Sequence, residues 1–402
     1  MTVVRKCWLK SAGVSLLLSL MLIFQWIYIN NYPLSGSKLV TNESMLHATQ
    51  ENWAPNLASK KNDQNLDLQF IKTGIFVQSL QFSSASDVNI SGYIWQKYDC
   101  DEQFQSAKTK DIKTVADCSK QTTPIPKQGE VGFILPEQLD TAGNITTQEV
   151  YRALSETEEW IVVSWYFEST LRQAFKYRPY PFDHRIVRIR LWPKAFQSDI
   201  TLIPDLDTYE SASLVDSFGL EESIVLNSWA IENTYFDFAT TRYDTNFGID
   251  RAHQPHHPDL RYNIVLKRKF GQALITYLVP LFLIAALLFT AILIITDNKQ
   301  LAHKIGLKTS VFMTLSAILF LTVMLLHIQI RDELLGANIS YIEYICILMY
   351  AFLAMASANV YLFSVRSTVF KGILLKHNNL YPKLWYWPAF IGLLILMTTA
   401  SI

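Results

Sequence analysis

The chain has 402 residues, half of them apolar, and 35 basic against 35 acidic side chains give it zero formal net charge. Its basic residues are scattered, so there is no electrostatic footprint for nucleic acid, and that class of partner is excluded. An aromatic content of 13% suits a β-rich domain and the interfacial belts of a membrane protein.

The first element is an apolar run, Ala12–Ile29, behind Arg5, Lys6 and Lys10. Basic residues are retained on the cytoplasmic side, so this flank places the start of the chain there. The run is long for a signal-peptide core and has no clean cleavage site, although Ser35-Gly36-Ser37 offers one. Residues 1–30 therefore read as a signal peptide or as a retained anchor. The polar stretch Leu34–Asp67 has no strong period, and 31–69 reads as a linker.

Residues 70–270 read as strands. From Ile71 to Tyr98, β-branched and aromatic residues alternate on both sides of Ser83–Asp87, which predicts two antiparallel strands and a tight turn. Glu159–Phe167, Ile186–Trp192, Ile224–Ile231 and Tyr262–Lys267 are the next predicted strands, and Thr147–Ser155 reads as a helix between them. The fold class is thus an all-β sandwich of about eight to ten strands. Cys100 and Cys118 lie close together in this region, and an exported domain would oxidise them to a disulfide; two unpaired buried thiols are the other reading.

Four further apolar runs follow: Gln272–Thr296, Thr309–Ile330, Tyr341–Val365 and Trp385–Ile402. About 20 apolar residues span a hydrocarbon core, so 271–402 reads as a four-helix transmembrane domain. Lys299, Lys304, Lys308, Arg366, Lys371, Lys376 and Lys383 fall on alternate links. With the N-terminus, they place the β domain outside: a multi-pass protein of the plasma, or bacterial inner, membrane with an extracellular or periplasmic domain.

Tyr180-Pro181-Phe182-Asp183, in the context YRPYPFDHRIVRIRLWP, resembles the signature turn of the pentameric ligand-gated ion channels, the Cys-loop receptor superfamily. Asp87 in the first strand turn, Arg268 before the membrane, Pro280 within TYLVPLFL, Lys304-Ile305-Gly306-Leu307 and Ser340-Tyr341-Ile342 follow in the same order. Gln173 and Val187 stand where the namesake disulfide would be, and the link between the third and fourth helices is short. Both features resemble the prokaryotic branch. Asp99–Gly132 does not match the corresponding segment of the family.

The resemblance implies a homopentamer, gated by a small molecule or an ion, that passes monovalent ions across the bilayer through a pore lined by the second of the four helices. At helical spacing that helix presents Gly306, Ser310, Met313, Ala317 and Phe320, flanked by Thr314, Leu321 and Met324. The same small residues would also suit a tight helix–helix contact. Ala302, His303 and Lys304 at the inner mouth lean toward anions or weak selectivity. Arg268 stands where a guanidinium offers paired hydrogen bonds to carboxylates, and the resemblance implies that Asp87 and Asp183 are those carboxylates. With Tyr341 they form the expected gating-coupling set. The alternative is a snorkelling arginine beside ordinary turn aspartates.

In this family the ligand sits beneath the hairpin before the last strand, where Tyr243 and Phe247 could hold an amine by cation–π attraction or pack on a neighbouring subunit. His253, His256 and His257 lack a supporting carboxylate geometry, and neither a metal nor a cofactor is expected. The sequence has no Walker loop, G-x-S-x-G elbow, HExxH or Cys-x-x-Cys, so no enzyme is expected. The competing class is a membrane-anchored ligand sensor without ion conduction. A transporter is disfavoured, since these helices have neither broken segments nor intramembrane acids.

Overall fold

The computed structural model describes residues 2–31, 40, 69–99, 125–139, 146–154, 160–194, 200–210, 217–240, 244, 258–296, 309–334, 339–365 and 379–401. The chain divides into two compact units: Ser35–Phe175 with His184–Lys267, and Met1–Leu34 with Lys176–Asp183 and Arg268–Ile402.

The first unit is built of strands: β1 (Gln69–Phe82), β2 (Asp87–Asp99), β3 (Phe133–Ile134), β4 (Gln138–Leu139), β5 (Thr146–Leu154), β6 (Trp160–Arg172), β7 (His184–Pro193), β8 (Ile200–Pro204), β9 (Trp229–Thr240) and β10 (Pro258–Arg268). One sheet runs β4-β6-β2-β1-β8 with β5 also on β6, and the other runs β3-β7-β10-β9. In β2 and β7 every second residue is buried, as a strand with one face on a core requires. Both sheets contribute to a single core, with Ile75, Ile94 and Trp165 from one and Val187, Ile189 and Tyr262 from the other. The β1–β2 hairpin turns at Ser83–Asp87, where the backbone N–H of Ser83 bonds to the carbonyl of Asp87 at 3.1 Å. Gly92 is fixed by close approach, since a Cβ there would lie 2.1 Å from the carbonyl oxygen of Phe76 beside the bulge at Val77.

Three strand expectations are corrected. Thr147–Ser155 is not helical: Thr146–Leu154 is β5, antiparallel to β6 with a bulge at Glu149. Its Ala, Leu and Glu favour a helix only weakly, and pairing with β6 overrides them. The strand expected at Ile224–Ile231 is instead Trp229–Thr240. β8 was not anticipated because all five of its residues are buried, leaving an apolar run without alternation.

The second unit holds five helices long and apolar enough to cross a membrane: α1 (Thr2–Asn30), α2 (Phe270–Ile294), α3 (Thr309–Glu333), α4 (Tyr341–Ser364) and α5 (Leu380–Ser401). The order is therefore not simply a β domain followed by four helices. The first apolar run is a helix of the same unit as the later four, and the Ser11 hydroxyl donates to the Leu384 carbonyl at 2.5 Å. Pro280 lacks the N–H that would bond four residues back and its ring crowds that carbonyl; α2 answers with a π turn at Leu274–Leu278. Lys383 Nζ closes the far end of α2 by donating to the Ile295 carbonyl at 2.6 Å. α4 begins in a capping box, the Glu343 carboxylate accepting from the Ser340 N–H at 2.7 Å.

Candidate functional site

The helical unit contains the turn Lys176–Asp183, and its polar cluster forms around Asp183 and Arg268. The Asp183 carboxylate is fully buried and accepts two parallel bonds from Arg268, from Nε at 2.5 Å and from an Nη at 3.1 Å. A backbone bond from the Arg268 N–H to the Asp183 carbonyl, at 3.3 Å, runs beside them. Such a fork fixes orientation as well as charge. The guanidinium also lies 4.6 Å from the centre of the Tyr180 ring. The Tyr180–Pro181 peptide bond is cis.

From this pair the contacts run to three helices. The Tyr180 hydroxyl donates to Glu333 at 3.4 Å, and Glu333, at the end of α3, also accepts a short bond from Tyr277 in the π turn of α2. The N–H of Tyr341, first residue of α4, donates to the Arg178 carbonyl at 2.9 Å. Phe182 stacks on Phe270 at 4.9 Å with the planes 17° apart, and lies 6.0 Å from Tyr341. One turn of eight residues thus touches the beginnings of α2 and α4 and the end of α3. Burial pushes the Tyr180 hydroxyl well above the usual phenol range, so it is a neutral donor at any physiological pH.

Of the expected coupling residues, Asp183, Arg268 and Tyr341 meet in this cluster. Asp87, implied as a second carboxylate for Arg268, is committed within the β unit: it accepts from Arg172 Nε at 2.8 Å and Nη2 at 3.2 Å. Arg172 lies two residues beyond Thr170 on β6, directly opposite Asp87 in the strand register, and the fork follows from that pairing. Tyr180 is part of the signature turn but was given no role of its own, and Glu333 and Tyr277 carry little signal in sequence, because aromatic and acidic residues near helix ends are ordinary interfacial positions.

Within the β unit, Arg185 is held in an aromatic box. Its guanidinium lies 4.6 Å from the Phe82 ring, 5.1 Å from Phe175 and 4.5 Å from Trp229. The chain's own cation fills a pocket whose faces favour positive charge.

α3 is the helix that the sequence resemblance implies would line a pore. Among the four later helices it is the least covered: 22% of its most apolar stretch is buried, against 44%, 44% and 39% for α2, α4 and α5. Phe312, Ser316, Leu319, Val323 and Ile330 form its buried face. Opposite lie Ser310, Thr314, Ala317, Leu321 and Ile328, all exposed. Met313 is half-buried on the flank, and Phe320 leans toward α4 with its ring 5.2 Å from Tyr350. The uncovered face therefore keeps Ser310, Ala317 and Phe320 of the expected stripe, Phe320 being 47% exposed, but is centred part of a turn away, on Thr314 and Leu321, which were expected as flanks.

Gly306, Tyr243, Phe247, Cys100, Cys118 and the loop histidines His253, His256 and His257 lie outside the described residues. Among the described residues no group of three His, Cys, Asp or Glu could hold a metal ion. No family model matches the chain, and no curated protein matches it.

Proposed function

We propose that this chain is one subunit of a homopentameric ligand-gated ion channel, multi-pass in a plasma membrane, whose exported β unit controls a pore lined by α3. One observation carries the reading: the helix with the uncovered hydroxyl-bearing face is also the helix whose last residue, Glu333, is bonded to the Asp183–Arg268 turn through Tyr180. A displacement of that turn reaches α3 through the Tyr180–Glu333 hydrogen bond, without a flexible segment in between. A single α3 cannot enclose a water path, so copies are needed, and five is the number implied by the resemblance of the YPFD turn and the ordered motifs around it.

In this reading Ser310 and Thr314 face ions at one end of the pore. The Thr314 hydroxyl is bonded to the Ser310 carbonyl at 3.1 Å, and its oxygen remains on the exposed face. Leu321 and Ile328 further along form apolar rings that close by expelling water when the helices lean inward.

The test is to reconstitute the purified full chain into planar bilayers in symmetrical potassium chloride and to weigh the intact assembly. Discrete single-channel currents and a mass of five copies are expected. A stable monomer or dimer in lipid, or bilayers that remain silent across a panel of amines, protons and divalent ions, would favour the non-conducting sensor.

A further inference from the structure

We propose that α1 stays on the mature chain as a fifth membrane helix and that its Trp26 is a positioning residue for the coupling cluster, holding Tyr341 and Phe182 in place. The inference rests on the channel reading for its functional consequence but on packing alone for the retention of the helix.

α1 has two faces. Leu16, Leu17, Leu20 and Phe24 are 60–72% exposed, whereas Leu22 and Trp26 are buried at 4% and 8%. The exposed face is apolar, as suits a helix that meets lipid, while the other face adds Ser11, Ser15 and Ser19 to Leu22 and Trp26, small residues that suit close approach of a neighbouring helix. The buried side is specific. The indole N–H of Trp26 donates to the Tyr341 hydroxyl at 3.1 Å, and that hydroxyl is also bonded to Thr398 of α5 at 2.9 Å. The Trp26 ring lies 6.0 Å from Phe182, 6.1 Å from Phe270 and 6.4 Å from Phe282.

A tryptophan with its N–H satisfied and its ring among three others is an anchor, since an indole left in hydrocarbon would keep an unsatisfied donor. A cleaved leader has no need of such a partner. Tyr341 and Phe182, 0% and 4% exposed in the unit, would both lose cover if the helix were removed. Phe182 belongs to the same turn as Asp183, and Tyr341 is tied by its N–H to Arg178 of that turn. Trp26 therefore sets the position of two residues that flank the Arg268–Asp183 fork without touching the fork itself.

Intact mass of the full-length protein purified from membranes tests the first half. A mass that includes residues 2–30 is expected; cleavage between residue 26 and the β unit would overturn the proposal. For the second half, Trp26→Phe keeps a ring and removes the donor, and Tyr341→Phe keeps the ring and removes the acceptor. Each is expected to change single-channel open probability about three- to tenfold, the size of one lost hydrogen bond, with unitary conductance unchanged. Tyr341→Phe also loses the bond to Thr398, so the double variant should go no further than Tyr341→Phe alone. A merely structural loss would reduce the number of assembled channels and leave their open probability alone. Additive effects, or wild-type behaviour of Trp26→Phe, would reject the positioning role. Should the wild-type chain carry no current, the channel reading fails by itself. Thermal unfolding of the same variants then decides: non-additivity supports the Trp26–Tyr341 pairing and additivity overturns it.

Discussion

The side-chain amide of Gln173 pairs with the backbone of Arg188 in both directions: the Arg188 N–H donates to Gln173 Oε1 at 3.0 Å, and Gln173 Nε2 donates to the Arg188 carbonyl. Arg188 lies in β7 beyond the reach of β3, which pairs only at Trp192 and Pro193. One amide thus satisfies a stretch of strand edge and pins the chain on either side of the Lys176–Asp183 turn. Gln173→Leu leaves two backbone groups without a protein partner and is expected to cost about 1–3 kcal/mol. A shift in the thermal unfolding midpoint measures it, and an unchanged midpoint would show that water replaces the amide at no cost.

The buried fork between Arg268 and Asp183 sets up a second expectation. Arg268→Ala strands a fully buried carboxylate, and breaking such a pair costs about 3–5 kcal/mol. Asp183→Asn strands the guanidinium instead. The two changes together should cost clearly less than their sum, in unfolding and in the stimulus needed for opening. Strict additivity would mean that the two side chains act independently.

On α3, the rotated stripe makes a prediction that separates neighbouring residues. In the proposed channel, Leu321→Ser is expected to wet the pore and raise resting current, whereas Met313→Ser, on the flank, should have a smaller effect. Cysteines placed at Ser310, Thr314, Ala317 and Leu321 should react with water-soluble thiol reagents in open channels. Cysteines at Phe312, Leu319 and Val323 should not, because these positions are buried. The reverse pattern would place the opposite face of the helix toward water.

Asp87 gives a pH dependence. The hydrogen bond from Arg172, against a smaller desolvation penalty, holds its carboxyl below the ordinary value of 3.8. A depressed carboxyl stabilises the fold above its unfolded value, and that contribution is lost as pH falls through the folded value. Arg172→Ala should therefore lower the unfolding midpoint at pH 7, and the gap to the wild type should close as pH falls below the unfolded value and through the lower folded one. The pair is largely solvent-exposed, so the gap should also narrow in high salt. A gap that stays constant with pH would mean that Arg172 acts through packing.

Much of the architecture was legible from local patterns. The β1–β2 hairpin, β6 and β7 announced themselves through alternation, because each buries mainly one face, whereas β10, buried at every residue from Tyr262 to Leu266, was legible from its β-branched and aromatic residues. β8 escaped because both of its faces are buried, and β5 because its composition favours helix slightly while its pairing with β6 decides the outcome. The five apolar helices were readable from length and hydropathy, since a span of lipid imposes a minimum run on any chain that crosses it.

The sequence by itself determined where along the chain most of the strands and the apolar helices fall, and that Arg268 stands at the junction of the last strand with α2. Periodicity and hydropathy are one-dimensional properties, and burial of apolar surface enforces them locally. Only the tertiary structure decided which carboxylate Arg268 meets. Asp87 is held by Arg172 through cross-strand register, and Asp183 is brought to Arg268 by the turn that packs among the helices. It likewise decided which face of α3 is uncovered and what Trp26 touches, because the angle of a helix about its axis is fixed by its neighbours when nearly every residue on it is apolar.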